Sequence, residues 1–263
     1  MVVDHRAVET GFAFECEGVR ESFGGSGAEG RGVLDVSLEV GEGEFLTIVG
    51  GSGVGKTTLL KILGGLAPRS AGRVSFRGRP VTSPPEGVVM VFQDYSRSLL
   101  PWRTVDHNMS LGLEGGRLAK PERRERIDSA LGKVGLSDSK RKYPWQLSGG
   151  MQQRLQIARA LAVAPEAFLM DEPFGSLDAI TKATLQDELA RLHGETQMTI
   201  VFVTHDVEEA VYLGDRVIVL AGKPAGVARE FDVSLKRPRH QITTREQPEF
   251  LDLRHRVHLA LGQ

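Results

Sequence analysis

One cysteine, Cys16, stands in a chain of 263 residues. No intramolecular disulfide can form, and a cysteine-rich zinc site is excluded. A lone cysteine in this setting reads as a small apolar strand residue. The chain also lacks a dominant charge, since 33 basic and 34 acidic side chains nearly cancel. A general nucleic-acid coat protein would be basic overall, so no nucleic-acid partner is expected. Long hydrophobic runs are missing too. The longest, VVMVF, IVFV and VIVLA, are far too short to span a bilayer and suit buried strands instead. The opening residues, MVVDHRAVETGF, carry an early acid and no apolar core of signal-peptide length. A cytosolic or peripheral protein that does not itself cross a membrane is the expectation.

What is present fits a soluble globular chain, with 40% hydrophobic and 25% charged residues. Residues 12–49 read mostly as strands, broken by the glycine-rich turn GGSGAEGRG at 24–32. EFLTIVG (44–50) reads as a buried strand that runs into a glycine loop, after which KTTLLKILGGL begins a helix. GRVSFRG is a short strand and GVVMVFQ a buried one. From 94 to 165 charges become dense and the apolar period lengthens to 3.6, as in PERRERIDSALGKVGL. This region is expected to be a mainly helical insertion. AFLMDEP then returns to a buried strand. A helix over Ala179–Glu195, a strand MTIVFVTH, a helix around Val207–Leu213 and a strand DRVIVLA follow. Strands alternating with helices of this length imply parallel βα units. In the tail, RPRHQITTREQPEF reads as a loop. PEFLDLRHRVHLAL can close with a helix that gathers Phe250, Leu253, Val257 and Leu261 on one side.

Two stretches carry chemistry. GGSGVGKT, Gly50–Thr57, satisfies the pattern G-x-x-x-x-G-K-[ST] between a buried strand and a helix. Gly50, Gly51, Gly53 and Gly55, with Ser52 and Val54 between them, let backbone N–H groups converge on phosphate oxygens. The helix start, with Thr57 and Thr58, adds its positive dipole end. Lys56 is placed to neutralise the β- and γ-phosphates, and the Thr57 hydroxyl to ligate Mg²⁺. This is the nucleotide loop of a P-loop NTPase. AFLMDEP ends a buried strand on Asp171 and Glu172. In such enzymes an aspartate here holds Mg²⁺, and an adjacent glutamate orients or deprotonates the attacking water.

A third stretch, LSGGMQQR (147–154), looks like a second anion loop, yet it holds no lysine. Taken in order, GGSGVGKT, FQ at Gln93, LSGGMQQR, LMDEP, SLD at 176–178 and TH at His205 resemble the motifs of the ATP-binding subunit of an ABC transporter, across nearly the whole chain. The resemblance implies an α/β fold: a P-loop NTPase of the ABC ATPase type, its mixed sheet core joined to an N-terminal antiparallel β region and a helical subdomain. It implies ATP and Mg²⁺ as cofactors, and a cassette over 8–235 with the helical insertion at 94–165. A C-terminal extension with a short helix would occupy 236–263.

The resemblance assigns Gln93 to the γ-phosphate and Mg²⁺, and His205 to the γ-phosphate. It assigns Glu172 to catalysis and Asp178 to the contact between two subunits; Asp178 also reads as a helix N-cap. Phe23 sits where the family usually has an aromatic that stacks on adenine, and a core phenylalanine is the other reading. Gly51 stands where relatives often have proline. In the family two subunits pack head to tail, so that Ser148, Gly149 and Gly150 of one close over the ATP held by the other. Ser148 can donate a hydroxyl to a γ-phosphate oxygen, while its N-cap role explains the serine alone. No lysine is needed there, because Lys56 and Mg²⁺ of the partner supply the positive charge.

VFQDYSRSLLPWRTVDHNM, MDEPFGSLDAITK and the tail are similar to importers of nitrate, sulfonates, taurine, bicarbonate and related small solutes. Tyr95, Leu99, Leu100 and Trp102 then form either a docking surface for a membrane subunit or a locally buried cluster. The implied partners are a second nucleotide-binding subunit in a homodimer, multi-span permease subunits and, indirectly, a periplasmic or extracellular solute-binding protein. The implied place is the cytoplasmic face of the plasma membrane. An ATPase subunit of another ABC importer or exporter, or a non-transport ABC ATPase, is the alternative.

Overall fold

The computed structural model describes residues 11–23, 32–92, 98–114, 118–175 and 177–262. Residues 24–31 of the glycine-rich turn, Gln93, Tyr95 and Ser176 lie outside the described residues, as does the side chain of Phe23.

The chain opens with β1 (Phe12–Phe23), β2 (Gly32–Gly41) and β3 (Phe45–Gly50). Then come α1 (Lys56–Leu63), β4 (Ala71–Phe76), β5 (Arg79–Pro80) and β6 (Val88–Val91). The α-helices described in the next stretch are α2 (Val105–Ser110), α3 (Lys120–Lys133) and α4 (Gly149–Ala162). The second half runs β7 (Ala167–Asp171), α5 (Ala179–Thr196), β8 (Thr199–Thr204), α6 (Val207–Leu213) and β9 (Arg216–Ala221). β10 (Gly226–Asp232) and α7 (Pro248–Ala260) finish it.

Two sheets result. One is antiparallel, in the order β2-β1-β4-β5; the other has six strands in the order β10-β9-β3-β8-β7-β6. In the second sheet β9, β3, β8, β7 and β6 are parallel, and β10 pairs antiparallel with β9. The α/β class and mixed sheet expected from the resemblance are what the chain adopts. Cys16 lies buried in β1, and burial pushes its thiol up to about 12, which leaves it protonated and inert.

The central strands are covered on both faces, which is why they read as unbroken apolar runs. Alternate residues divide between two cores. Phe45 and Val49 of β3, Phe168 and Met170 of β7, and Ile200 and Phe202 of β8 join the core beneath the helices. Leu46 and Ile48, Leu169, and Val201 and Val203 join a second core with α1 and the antiparallel sheet. Burial of each large side chain contributes about 1.5–3 kcal/mol.

β6 departs from expectation. It is the edge of its sheet, so Val88, Val89 and Met90 are half-buried rather than buried. β10 was not legible as a strand: GVAREFD is a polar edge, its exposed Ala228, Arg229 and Glu230 hiding any apolar period. In α7, Phe250, Leu253 and Val257 are buried as expected, while Leu261 falls just past the helix end and is half-buried. The stretch LLPW divides: Leu99 is buried, Leu100 is half-buried, and Trp102 is 72% exposed.

Candidate active site

β3, β8 and β7 are neighbours and parallel, so their carboxyl ends lie along one edge of the sheet. That edge is where open parallel sheets carry ligand sites. Gly50 ends β3, Asp171 ends β7, and Thr204 ends β8 with His205 directly after it.

The loop after β3 needs its glycines. A Cβ on Gly50 would sit 2.7 Å from the Leu220 carbonyl oxygen and 2.8 Å from Val54 Cγ1. Gly53 and Gly55 take φ of +72° and +102°, in the left-handed region that side chains resist. A Cβ on Gly51 would meet nothing within 4 Å, so this position is open to a side chain. α1 begins at Lys56 with Gly55 as its N-cap and no side-chain cap. Its first amides are therefore left for an anion.

Lys56 is buried, and its Nζ donates to the carbonyl oxygens of Gly50 at 2.8 Å and Gly51 at 3.2 Å. The same ammonium lies 3.9 Å from Glu172 Oε1. Burial pulls its pKa below the ordinary lysine value, against the opposing pull of Glu172 and Asp171. The Thr57 hydroxyl donates to Asp171 Oδ1 at 3.0 Å. Burial raises the Asp171 carboxyl above its usual range, and the Thr57 hydrogen bond works the other way. Glu172 takes φ of 44°, an uncommon conformation for a residue with a Cβ. His205 Nδ1 lies 3.1 Å from Glu172 Oε2, and its ring is largely exposed.

An open cavity of about 510 Å³ lies here, lined by Ser52 through Thr58 together with Glu172 and His205. Its residues fit a nucleotide with its metal. Bare amides, a lysine held by carbonyls and narrow glycine turns suit phosphate oxygens. The Thr57 hydroxyl and Asp171 carboxylate are two adjacent oxygen donors. Mg²⁺ typically takes one or two protein oxygens and completes its shell with phosphates and water. No cluster of three or more His, Cys, Asp or Glu side chains able to hold a metal occurs among the described residues.

The other expected residues stand elsewhere. Ser148 is exposed and caps α4, its oxygen accepting from Met151 N at 3.3 Å. Gly149 and Gly150 form the first turn of α4. Asp178 caps α5, accepting from Ile180 N at 3.1 Å and Thr181 N at 3.0 Å. A Cβ on Gly150 would fall 2.4 Å from Thr181 Cγ2, so the starts of α4 and α5 touch. None of Ser148, Gly149, Gly150 or Asp178 lines the cavity.

Sequence reasoning missed a group behind His205. Lys182 and Gln186 of α5 meet Asp206, the N-cap of α6, and Glu209 within α6. One signal was available: D-x-x-E at 206–209 is a helix-capping pattern, and Asp206 does accept from Glu209 N at 3.2 Å.

Comparison with known proteins agrees with the family resemblance. The family described as ABC transporter matches residues 33–175. The nitrate import ATP-binding protein NrtD of Synechococcus elongatus is 41% identical over 94% of this chain and 90% of its own. NrtC of the same organism is 45% identical over 85% of this chain but 34% of its own, so this chain spans about a third of that relative. The aliphatic sulfonates import ATP-binding protein SsuB of Bacillus licheniformis is 42% identical, over 91% of both chains. Among solved structures, the ATP-binding cassette MJ0796, a dimer bound to ADP and phosphate, has a TM-score of 0.71 at 33% identity. The match covers 84% of this chain and 98% of that one. The cbiO1 protein of Clostridium perfringens, part of the transporter complex cbiONQ, reaches 0.75 at 28% identity over 84% of this chain and 89% of its own.

Proposed function

This chain belongs to the ABC transporter family of ATP-binding subunits, and from that premise we propose that it hydrolyses ATP to energise import of a small anion such as nitrate, a sulfonate, taurine or bicarbonate. The observation that carries the solute class is the run of nitrate and sulfonate import relatives at 41–45% identity. The LLPW segment, with Trp102 72% exposed, supports docking on a permease.

The proposed chemistry follows from the cavity. Lys56 and the α1 amides bind the phosphates, and bound Mg²⁺, held by Thr57 and Asp171, supplies charge neutralisation there. Gln93 joins that metal site. Glu172 accepts a proton from the attacking water, and the Glu172–His205 contact at 3.1 Å orients both side chains for the γ-phosphate. Phe23 supports adenine. Ser148, Gly149 and Gly150 of a second copy cover the same ATP, with Asp178 at the contact between copies. ATP then favours the closed pair and its products favour separation, which is the motion passed to the permease. No helix among the described residues is long and apolar enough to cross a membrane. The proposed attachment is to permease subunits on the cytoplasmic face, with a solute-binding protein acting on their far side.

A strain carrying Lys56→Ala in this chain is expected to lose uptake of labelled nitrate or of an aliphatic sulfonate. Full uptake of both, and of taurine and bicarbonate, in that strain overturns the solute class.

A further inference from the structure

Between Thr204 and Asp206 sits His205, and both neighbours are tied into a partly buried polar group centred on Glu209. The Thr204 hydroxyl donates to Glu209 Oε2 and accepts from Asp206 N at 3.0 Å. Lys182 Nζ bridges Asp206 Oδ2 at 2.7 Å and Glu209 Oε1 at 3.4 Å. Glu209 is 3% exposed, and it has one more donor: Gln186 Nε2, at 3.0 Å from Oε1. A buried carboxylate with three side-chain donors holds its position closely, because losing any donor exposes an uncompensated acceptor.

Gln186 carries the group outward. Its Oε1 accepts from Arg245 Nη2 at 3.0 Å and from Gln241 Nε2 at 3.3 Å. Both donors belong to the segment that follows β10. Arg245 is itself fixed: Nη1 reaches Glu208 Oε2 at 3.1 Å, and its guanidinium lies over the Tyr212 ring at 5.1 Å. Arg254 of α7 holds the other Glu208 oxygen at 2.8 Å. Nearby, the buried Arg239 donates to the carbonyls of Tyr212 and Gly214, both at 2.8 Å, and so closes the end of α6.

We propose that the segment after β10 is a brace for the ATPase site, and that Gln186 is a positioning residue through which Arg245 and Gln241 fix Glu209, Thr204 and hence the peptide carrying His205. The inference rests on the assignment of His205 to the γ-phosphate. Its physical content is narrow. Gln186 touches no nucleotide-binding group, yet it is the one side chain among the described residues that bonds both to Glu209 and to Arg245.

Gln186→Met keeps the length of the side chain and removes both links. In the purified full chain, phosphate release is expected to fall about tenfold in kcat, with KM for ATP changed less than about twofold, since displacement of a catalytic group by a fraction of an ångström costs rate rather than affinity. The thermal midpoint reports any general loss of folding. Arg245→Met, which leaves the α5–α6 contact in place, should show the same split at smaller size. The cycle with His205→Ala is decisive. If Gln186 acts through His205, the double variant turns over no more slowly than His205→Ala alone. Additive losses, or normal kcat in Gln186→Met beside a crippled His205→Ala, overturn the brace and leave the role of His205 standing. Normal kcat in His205→Ala itself overturns the role of His205 and the brace with it.

Discussion

The two glycine-bearing loops of this chain, Gly50–Thr57 and Ser148–Gly150, use similar parts to different ends. Each leads into a helix, α1 or α4. The first has no side-chain cap, contains a buried lysine, shares a cavity with Glu172 and His205, and holds Asp171 through the Thr57 hydroxyl. The second is capped by its own exposed serine, its glycines are half-buried, and none of its residues lines that cavity. One loop is complete in charge; the other offers a hydroxyl and close backbone approach but no cation. Such a loop can serve a phosphate only where its charge has been neutralised by something else. A second copy of the first loop would supply that neutralisation, and so the difference between the loops favours the proposed shared site.

The largest effect should come from the complete loop's surroundings. Glu172→Gln is expected to lower turnover by about 10²–10⁴-fold, the range for loss of a general base, while leaving ATP bound. The variant should then elute as an ATP-dependent dimer in size-exclusion chromatography. Turnover at the wild-type rate would remove Glu172 as the base and leave the first loop as a binding site alone.

Ser148→Arg separates the loops. It places a long side chain where close approach is required, so hydrolysis should fall at least about a hundredfold, as when one transition-state donor is lost. ATP affinity of the monomer, followed by a fluorescent nucleotide, should stay within about twofold. If the monomer stops binding ATP, the second loop serves its own chain's nucleotide and the shared site is wrong.

Both loops were legible in the sequence, because glycine spacing, lysine and serine are local signals that survive without knowledge of the fold. The central strands were legible for a related reason. Burial on both faces leaves unbroken apolar runs such as TIVFVT, and few other structures require that. Edges were harder. β6 carries the same apolar run but has a neighbour on one side only, and β10 hides its strand period under charge. Hardest was the group behind His205, since Lys182, Gln186, Glu209 and Arg245 meet only after α5, α6 and the tail have packed. Gln186 lies 23 residues from Glu209 and 59 from Arg245, and no spacing rule links positions so far apart.

The smallest effect belongs to Asp178, where cap and contact coincide in one side chain. Its carboxylate accepts from the amides of Ile180 and Thr181, and hydrogen bonds from Thr181 hold its pKa below the ordinary aspartate value. Because the folded pKa is the lower one, this stabilisation is present above the unfolded pKa and is lost as pH falls through the folded value. Asp178→Ala removes the cap and should lower the thermal midpoint at pH 7 by about 2–4 °C, with the gap to wild type closing under acid conditions. Asp178→Asn keeps an oxygen in the same place and caps nearly as well, so its midpoint should match wild type to within about 1 °C. That equality is what makes the asparagine variant informative. With the fold of α5 intact, any fall in its turnover comes from the lost charge and assigns Asp178 to the contact between copies. Turnover equal to wild type in Asp178→Asn, beside a lowered midpoint in Asp178→Ala, makes Asp178 a helix cap and nothing more, and leaves Ser148–Gly150 as the part of this face that the second copy uses.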